Sequence, residues 1–363
     1  MAIAQAEHCC FLRTNTAQGG VTQLAQLAAR DNLRTLYIKG GHGGAAAALL
    51  AALEELAKEK GTSAQPFWDA PGRERRCAVL LPELNLAVID AEVPWPLEPK
   101  LPGAGEELLS LDSCRDNTKL REQRDELLQL STQWQHQLAR VAQFMRSAQA
   151  IKRDMTHVAS ETLNLSKIER YASRFAQKHF TPPSGKVGLE QRRFLTAVTG
   201  KGLLLRSSVL AETCSQAVIL DDENGVAAPL LWELVRSYAL GNGVDCISCP
   251  CLLDPAAAPE HLIFPQLGLA CITNNLRHPI KLENAQHISA TRFIEKSALQ
   301  AHKNRLRFCR RAMRELLAEA YEAQAAADLL RGEIDAIYAN ALIPGAVENM
   351  AKALLSEKIA HRG

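Results

Sequence analysis

Three stretches of the first half return in the same order about 180 residues later. The run from Phe11 to Gly19 is echoed from Phe194 to Gly202. The run from Leu36 to Leu50 is echoed from Ala217 to Leu231, with Asp221-Asp222 where Gly40-Gly41 stand. The run from Leu81 to Ile89 is echoed from Phe264 to Ile272. Three ordered matches are hard to obtain by chance, and the period is far too long for a solenoid repeat. The expectation is a duplicated domain: two tandem copies of one αβ unit, each followed by helices.

Within the first copy, hydrophobic patterning predicts a helix over 21–29, a strand over 33–39, a helix over 45–60 with Gly61 past its end, and strands over 65–68 and 84–90. Asp69-Ala70-Pro71-Gly72 reads as a turn. Strand, helix and strand in this order predict a βαβ unit with a mainly parallel sheet. Residues 93–103 carry four prolines and read as a stiff exit from the sheet. Residues 118–180 form a helical hairpin in which Leu120, Leu127, Leu130, Trp134, Leu138, Val141 and Met145 fall near one face. A helical tail over 296–361 repeats this ending. The expected division is a first αβ unit at 1–104, a helical hairpin at 105–182, a second αβ unit at 183–290 and a C-terminal helical segment at 291–363.

The stretch Tyr37-Ile38-Lys39-Gly40-Gly41-His42-Gly43-Gly44-Ala45 has the layout of a phosphate loop: a strand, a glycine turn, then a helix N-terminus. The motif asks for Gly-Lys-Ser/Thr where this chain has Ala45-Ala46-Ala47.

With the repeat in view, the chain resembles a group of bacterial P-loop proteins with two tandem ATPase-like halves, ATPases or nucleotide kinases. The resemblance covers nearly the whole chain. It rests on Tyr37 to Leu50, on Leu81 to Asp90, on Glu98-Pro99-Lys100-Leu101-Pro102-Gly103-Ala104 and on the duplication itself. It implies two P-loop NTPase-like α/β units, and ATP with Mg²⁺ as cofactors. In similar proteins each half carries a Gly-Gly-Pro-Gly-Thr-Gly-Lys-Ser-Thr-like loop. This chain matches at Gly40, Gly41 and Gly43 and departs at His42, Gly44 and Ala45 to Ala48. The lysine position falls on Ala46 and the magnesium-binding hydroxyl on Ala47. In the second copy the lysine position falls on Ala227, behind Asp221, Asp222 and Glu223. Both Walker A loops are therefore degenerate.

The phosphate-loop remnant is Gly40, Gly41, His42, Gly43 and Gly44. Its backbone could hold a phosphate or nucleotide weakly; the alternative is a glycine turn kept for packing, and that is preferred. Lys39 and His42 stand close enough to be considered as substitutes for the lost cation. Asp90 occupies a Walker-B-like place, or simply caps its strand; Thr273 stands there in the second copy. Asp221, Asp222 and Glu223 would repel a triphosphate, and read as solvated acids before a metal site. Cys246, Cys249 and Cys251, with His261 beyond, have a spacing that could ligate zinc or a cluster, but buried thiols are the simpler account. The same holds for Cys9-Cys10 after His8. The basic run from Lys303 to Arg311, extended by Arg314, could meet a nucleic acid or an acidic partner, but a solvated helical face is the preferred reading.

Net charge is +2, so nothing marks a nucleic-acid binder. Ten cysteines without a leader-like N-terminus point to a reducing compartment, the cytoplasm. No run reaches the ~18 apolar residues of a membrane span, so no membrane partner is expected. No other catalytic signature is present.

The function expected from these residues is that of a catalytically degenerate P-loop protein with a binding, regulatory or scaffold role and no catalytic residues. The alternatives are an active ATPase or nucleotide kinase with a substitute cation, and a helical interaction module acting through residues 300–315.

Overall fold

The computed structural model describes residues 10–30, 33–69, 75–180, 185–207, 210, 213–275, 277, 279–280, 282 and 285–360. The first half runs β1 (Arg13–Thr16), β2 (Gly19–Thr22), α1 (Leu24–Ala28), β3 (Arg34–Lys39), α2 (Ala45–Glu59), β4 (Gln65–Trp68), β5 (Arg76–Leu81), β6 (Leu86–Asp90), β7 (Glu106–Ser110), α3 (Asn117–Glu122), α4 (Arg124–Ser160) and α5 (Leu165–His179). The second half runs β8 (Glu190–Arg192), β9 (Thr196–Thr199), β10 (Gly202–Leu205), β11 (Gln216–Asp221), α6 (Ala227–Gly241), β12 (Cys246–Cys251), β13 (Asp254–Phe264), β14 (Leu269–Asn274), β15 (Gln286–Ser289), α7 (Lys296–Ala301), α8 (Lys303–Asn340) and α9 (Ala346–Ala360).

The chain divides into two compact units. The glycine-loop unit comprises Phe11–Thr14, Gly20–Arg140 and Ala323–Gly363. The acidic-loop unit comprises Asn15–Gly19 and Val141–Glu322, with Cys10.

The sheet of the glycine-loop unit has the order β4-β5-β6-β3-β7. β3 pairs parallel with β6 and β7, while β4, β5 and β6 pair antiparallel in succession. The sheet of the acidic-loop unit has the order β12-β13-β14-β11-β15, with β8 added beside β12. There too the strand before the loop lies parallel to its two neighbours, and β12, β13 and β14 are antiparallel.

Both sheets are therefore mixed, which corrects the expected mainly parallel ones. The cause is a hairpin inside the echoed Leu-Pro motif. Pro82–Leu84 forms a 3-10 turn closed by Asn85 at φ 47°, and it reverses β5 into β6. Pro265–Leu267 and Gly268 at φ 56° do the same between β13 and β14. Glycine suits this left-handed position, and a Cβ at Gly268 would lie 2.8 Å from Ser215 Oγ. Of the expected turn Asp69-Ala70-Pro71-Gly72, residues 70–72 lie outside the described residues.

Strand alternation builds a core on each face of each sheet. In the glycine-loop unit Leu36, Ile38, Val79, Leu81 and Val88 face α2 and α9, while Ala78, Leu80, Ala87 and Ile89 face α1. α2 is an Ala/Leu helix of high intrinsic propensity, and it buries Ala45, Ala46, Leu49, Leu50, Leu53 and Ala57. In the acidic-loop unit Val218, Leu220, Leu262 and Cys271 pack with α5 and α6, and Ile219, Ile247, Ile263 and Ile272 fill the opposite face.

Candidate functional site

Each unit places a short loop between the central strand and the helix that follows it. In the glycine-loop unit the loop is residues 40–44; in the acidic-loop unit it is residues 222–226. Matching the strand and helix ends sets Asp222 and Glu223 against Gly40 and Gly41, one residue on from the register read from sequence.

The glycine loop makes its bonds to carboxylates of its own unit. The Gly40 N–H donates to the Glu92 carboxylate in a short bond. The Gly43 N–H donates to Asp335 Oδ1 at 3.1 Å. The first N–H groups of α2 also turn inward, Ala45 donating to the His42 carbonyl and Ala46 to the Gly41 carbonyl, both at 3.3 Å. An anion-binding nest works through free N–H groups at a helix start, and those of Gly40, Gly43, Ala45 and Ala46 are taken.

Asp335 is further held by Arg75 at 2.8 Å and Arg331 at 3.2 Å. Its burial alone would raise its pKa, but Arg331, Arg75 and the Gly43 N–H outweigh this and hold the carboxyl below its ordinary range. His42 stacks on Tyr338, and its Nε2 lies 3.6 Å from the Glu92 carboxylate. Burial and the Arg331 cation hold the His42 pKa below the ordinary value. The loop glycines serve this close packing. Gly43 has φ 68°, and a Cβ on it would lie 2.6 Å from the Ala339 nitrogen; a Cβ on Gly41 would lie 2.6 Å from that of Ala46. Ala46, at the place a phosphate loop gives to lysine, is 2% exposed and part of the core.

Two further sequence candidates have internal partners. Lys39 donates to Glu98 at 2.6 Å and to the Ala91 carbonyl at 3.0 Å. Asp90 accepts from Arg13 at 2.8 Å, and Arg13 also grips Asp69 at 2.6 Å. Arg13 is 3% exposed; burial opposes its charge, but Asp69 and Asp90 together keep its pKa raised.

One cation beside the glycine loop is a residue the sequence did not single out. Arg115 is 7% exposed, and its terminal nitrogens lie 3.6 Å from where a Gly40 Cβ would stand. It covers the Tyr338 ring at 5.0 Å. Its Nε and Nη2 have no hydrogen-bond partner among the described residues, and neither has His42 Nδ1. Burial lowers the Arg115 pKa. No local pattern announces Arg115, Tyr338 or Asp335.

The acidic loop closes on itself. Asp222 is 1% exposed and accepts from the N–H groups of Gly225 at 3.0 Å and of Ala227 and Ala228 at 2.8 Å. Its carboxylate thus caps the start of α6. Burial raises its pKa against the pull of these N–H bonds. Asp221 meets His287 at 2.9 Å and Asn274 at 2.7 Å, while Glu223 pairs with Arg310. The three acids diverge.

Cys246, Cys249 and Cys251 all lie on β12, but alternation and a bulge separate them. Cys246 joins the core with α6, and Cys249 joins the opposite face beside Cys10. Cys251 accepts from Lys152 at 2.9 Å. His261 accepts the Thr273 N–H at 3.1 Å. Among the described residues no group of three or more His, Cys, Asp or Glu is placed to hold a metal. His8 and Cys9 lie outside the described residues. In the basic run, Arg305 pairs with Asp154 and Arg311 reaches toward Glu315. No helix among the described residues is long and apolar enough to cross a membrane.

Set against family models, curated proteins and solved structures, the chain has no match in any of the three.

Proposed function

We propose that the chain is a catalytically degenerate relative of the tandem P-loop proteins, a duplicated scaffold that has given up phosphoryl transfer. It serves as a binding or regulatory protein in the cytoplasm, with protein partners met through its helical segments. The observation that carries this reading is Asp222. A buried carboxylate takes the three N–H donors that a phosphate would need, and Glu92 and Asp335 take loop donors in the other unit in the same way. A lysine at the transferring phosphates supplies charge where the transition state needs it most, and both positions carry alanine. The shared strand order of the two sheets supports the duplication.

The test is calorimetry of the full chain with ATP, GTP, ADP and inorganic phosphate, with and without Mg²⁺. The expected result is no heat at millimolar ligand. Micromolar, magnesium-dependent ATP binding would overturn the reading.

A second reading keeps nucleotide or phosphate binding at the glycine loop, as in an active ATPase or nucleotide kinase. It draws on Arg115, a buried guanidinium with unpartnered N–H groups beside Gly40. Its mark would be ATP binding that Arg115→Met abolishes and that Lys39→Met leaves unchanged.

A further inference from the structure

The acidic-loop unit contains a cavity of about 120 Å³. One side is the loop itself, through Glu223, Asn224 and Gly225; another is one face of α8, where Arg310, Met313, Arg314 and Leu317 follow at helical spacing. An enclosed apolar cavity of roughly 150 Å³ accepts benzene; this one is smaller but opens to solvent at the exposed Arg314, so a single six-membered ring can enter with a polar substituent reaching out at that edge.

Its polar groups define what that body must carry. Asn224 is 7% exposed, and its Oδ1 has no hydrogen-bond partner among the described residues. An amide oxygen only accepts, so the complement is an O–H or N–H donor. Two of the lining arginines are matched by acids, Arg277 by Glu260 at 2.5 Å and Arg310 by Glu223. Arg314 is exposed and has no ion pair with a described residue. One positive charge is left over, in a guanidinium fork suited to a carboxylate. Met155 and Met313 also line the space, and thioethers favour aromatic rings. Phosphate is the poorer match. Asp222 already holds the N–H groups at the start of α6, and Glu223 at the cavity opposes a second negative charge.

We propose that this cavity binds a small hydroxylated aromatic carboxylate, its ring between the methionines and Leu317, its hydroxyl on Asn224 Oδ1 and its carboxylate on Arg314. The site needs no nucleotide, so it stands apart from the question of the two loops.

The experiment titrates the full chain with 4-hydroxybenzoate, benzoate and inorganic phosphate by calorimetry. The hydroxy acid is expected to bind and benzoate to bind several-fold more weakly. Arg314→Gln, at an exposed position, should keep the melting temperature and weaken binding by about tenfold. Asn224→Leu should abolish the preference for the hydroxy acid, and Met313→Trp should fill the cavity and abolish binding. No binding by the wild-type chain at about 10 mM acid, unchanged affinity in Arg314→Gln, or displacement of the acid by phosphate would each overturn the proposal.

Discussion

His42 lies nearly flat on Tyr338, with ring centroids 4.7 Å apart and planes inclined by 24°. The contact ties the glycine loop to α8. It also buries an imidazole among Arg331, Arg115, Glu92 and Asp335. Burial and the arginines hold its folded pKa below the ordinary 6.5. The unfolded chain therefore takes up a proton near 6.5 that the folded chain resists. Stability is full above that value and falls as pH drops below it, by at most about 1.4 kcal/mol per pH unit for one such group. His42→Phe keeps a stacked ring and removes the titration. Denaturant unfolding at pH 7.5, 6.5 and 5.5 should show a smaller acid loss in the variant; equal losses would count against this account.

Asp335 is the hub on the other side of the loop. Asp335→Ala leaves Arg75, Arg331 and the Gly43 N–H without this acceptor. With the carboxylate partly open to solvent, the expected cost is about 2 kcal/mol. Asp335→Asn should recover part of it by still accepting the Gly43 N–H. Because the folded carboxyl is held below its ordinary range, the wild-type contribution is full above the unfolded pKa and disappears only in stronger acid. Chemical denaturation at pH 7, 5 and 3 checks both statements: the contribution should be equal at pH 7 and 5 and smaller at pH 3.

In the acidic-loop unit, Asp222→Ala opens a carboxylate-sized space before three N–H donors. The variant should lose about 1–3 kcal/mol, the cost of leaving buried donors unpaired. Formate should raise its melting temperature and leave that of the wild-type chain unchanged. A rise of the same size in both would remove the claim that the side chain stands in an anion's place.

Restoring the missing residues should not restore chemistry. Ala46→Lys with Ala47→Thr supplies the lysine and hydroxyl of a phosphate loop. Ala46 sits in the core, however, and the loop donors belong to Glu92 and Asp335. Calorimetry of the double variant should show no ATP binding, and its melting temperature should fall. Tight ATP binding would mean that the lost side chains alone kept the loop inactive.

What could be read from the sequence was local. Leu36, Tyr37 and Ile38 before the glycines and the Ala/Leu run after them specify β3 and α2 by their periodicity, and the helices of both halves follow from the spacing of Leu, Ala and Trp134. The antiparallel hairpins escape a periodicity reading because the apolar run from Cys77 to Leu81 is separated from Leu86 only by Pro82 to Asn85, and hydrophobic alternation does not show that so short a turn reverses the chain. The cysteine spacing suggested a ligand set because a linear pattern does not show that β12 turns Cys246 and Cys249 to opposite faces. The partners of the glycine loop were out of reach altogether. Arg115, Asp335 and Tyr338 are ordinary residues of other elements, and only the folded chain brings them to Gly40 and Gly43.

The bond from Gly43 to Asp335 spans 292 residues, and this has a meaning in time as well as in space. At about 5–20 residues per second of synthesis, Gly43 leaves the ribosome roughly 15–60 s before its acceptor exists. Val347, Ala351 and Leu354, which cover the same apolar face as α2, come later still. The glycine loop and its core thus wait exposed while nearly all of the chain is made, a vulnerable interval during which a chaperone, or the early closing of the acidic-loop unit, would decide how much protein survives.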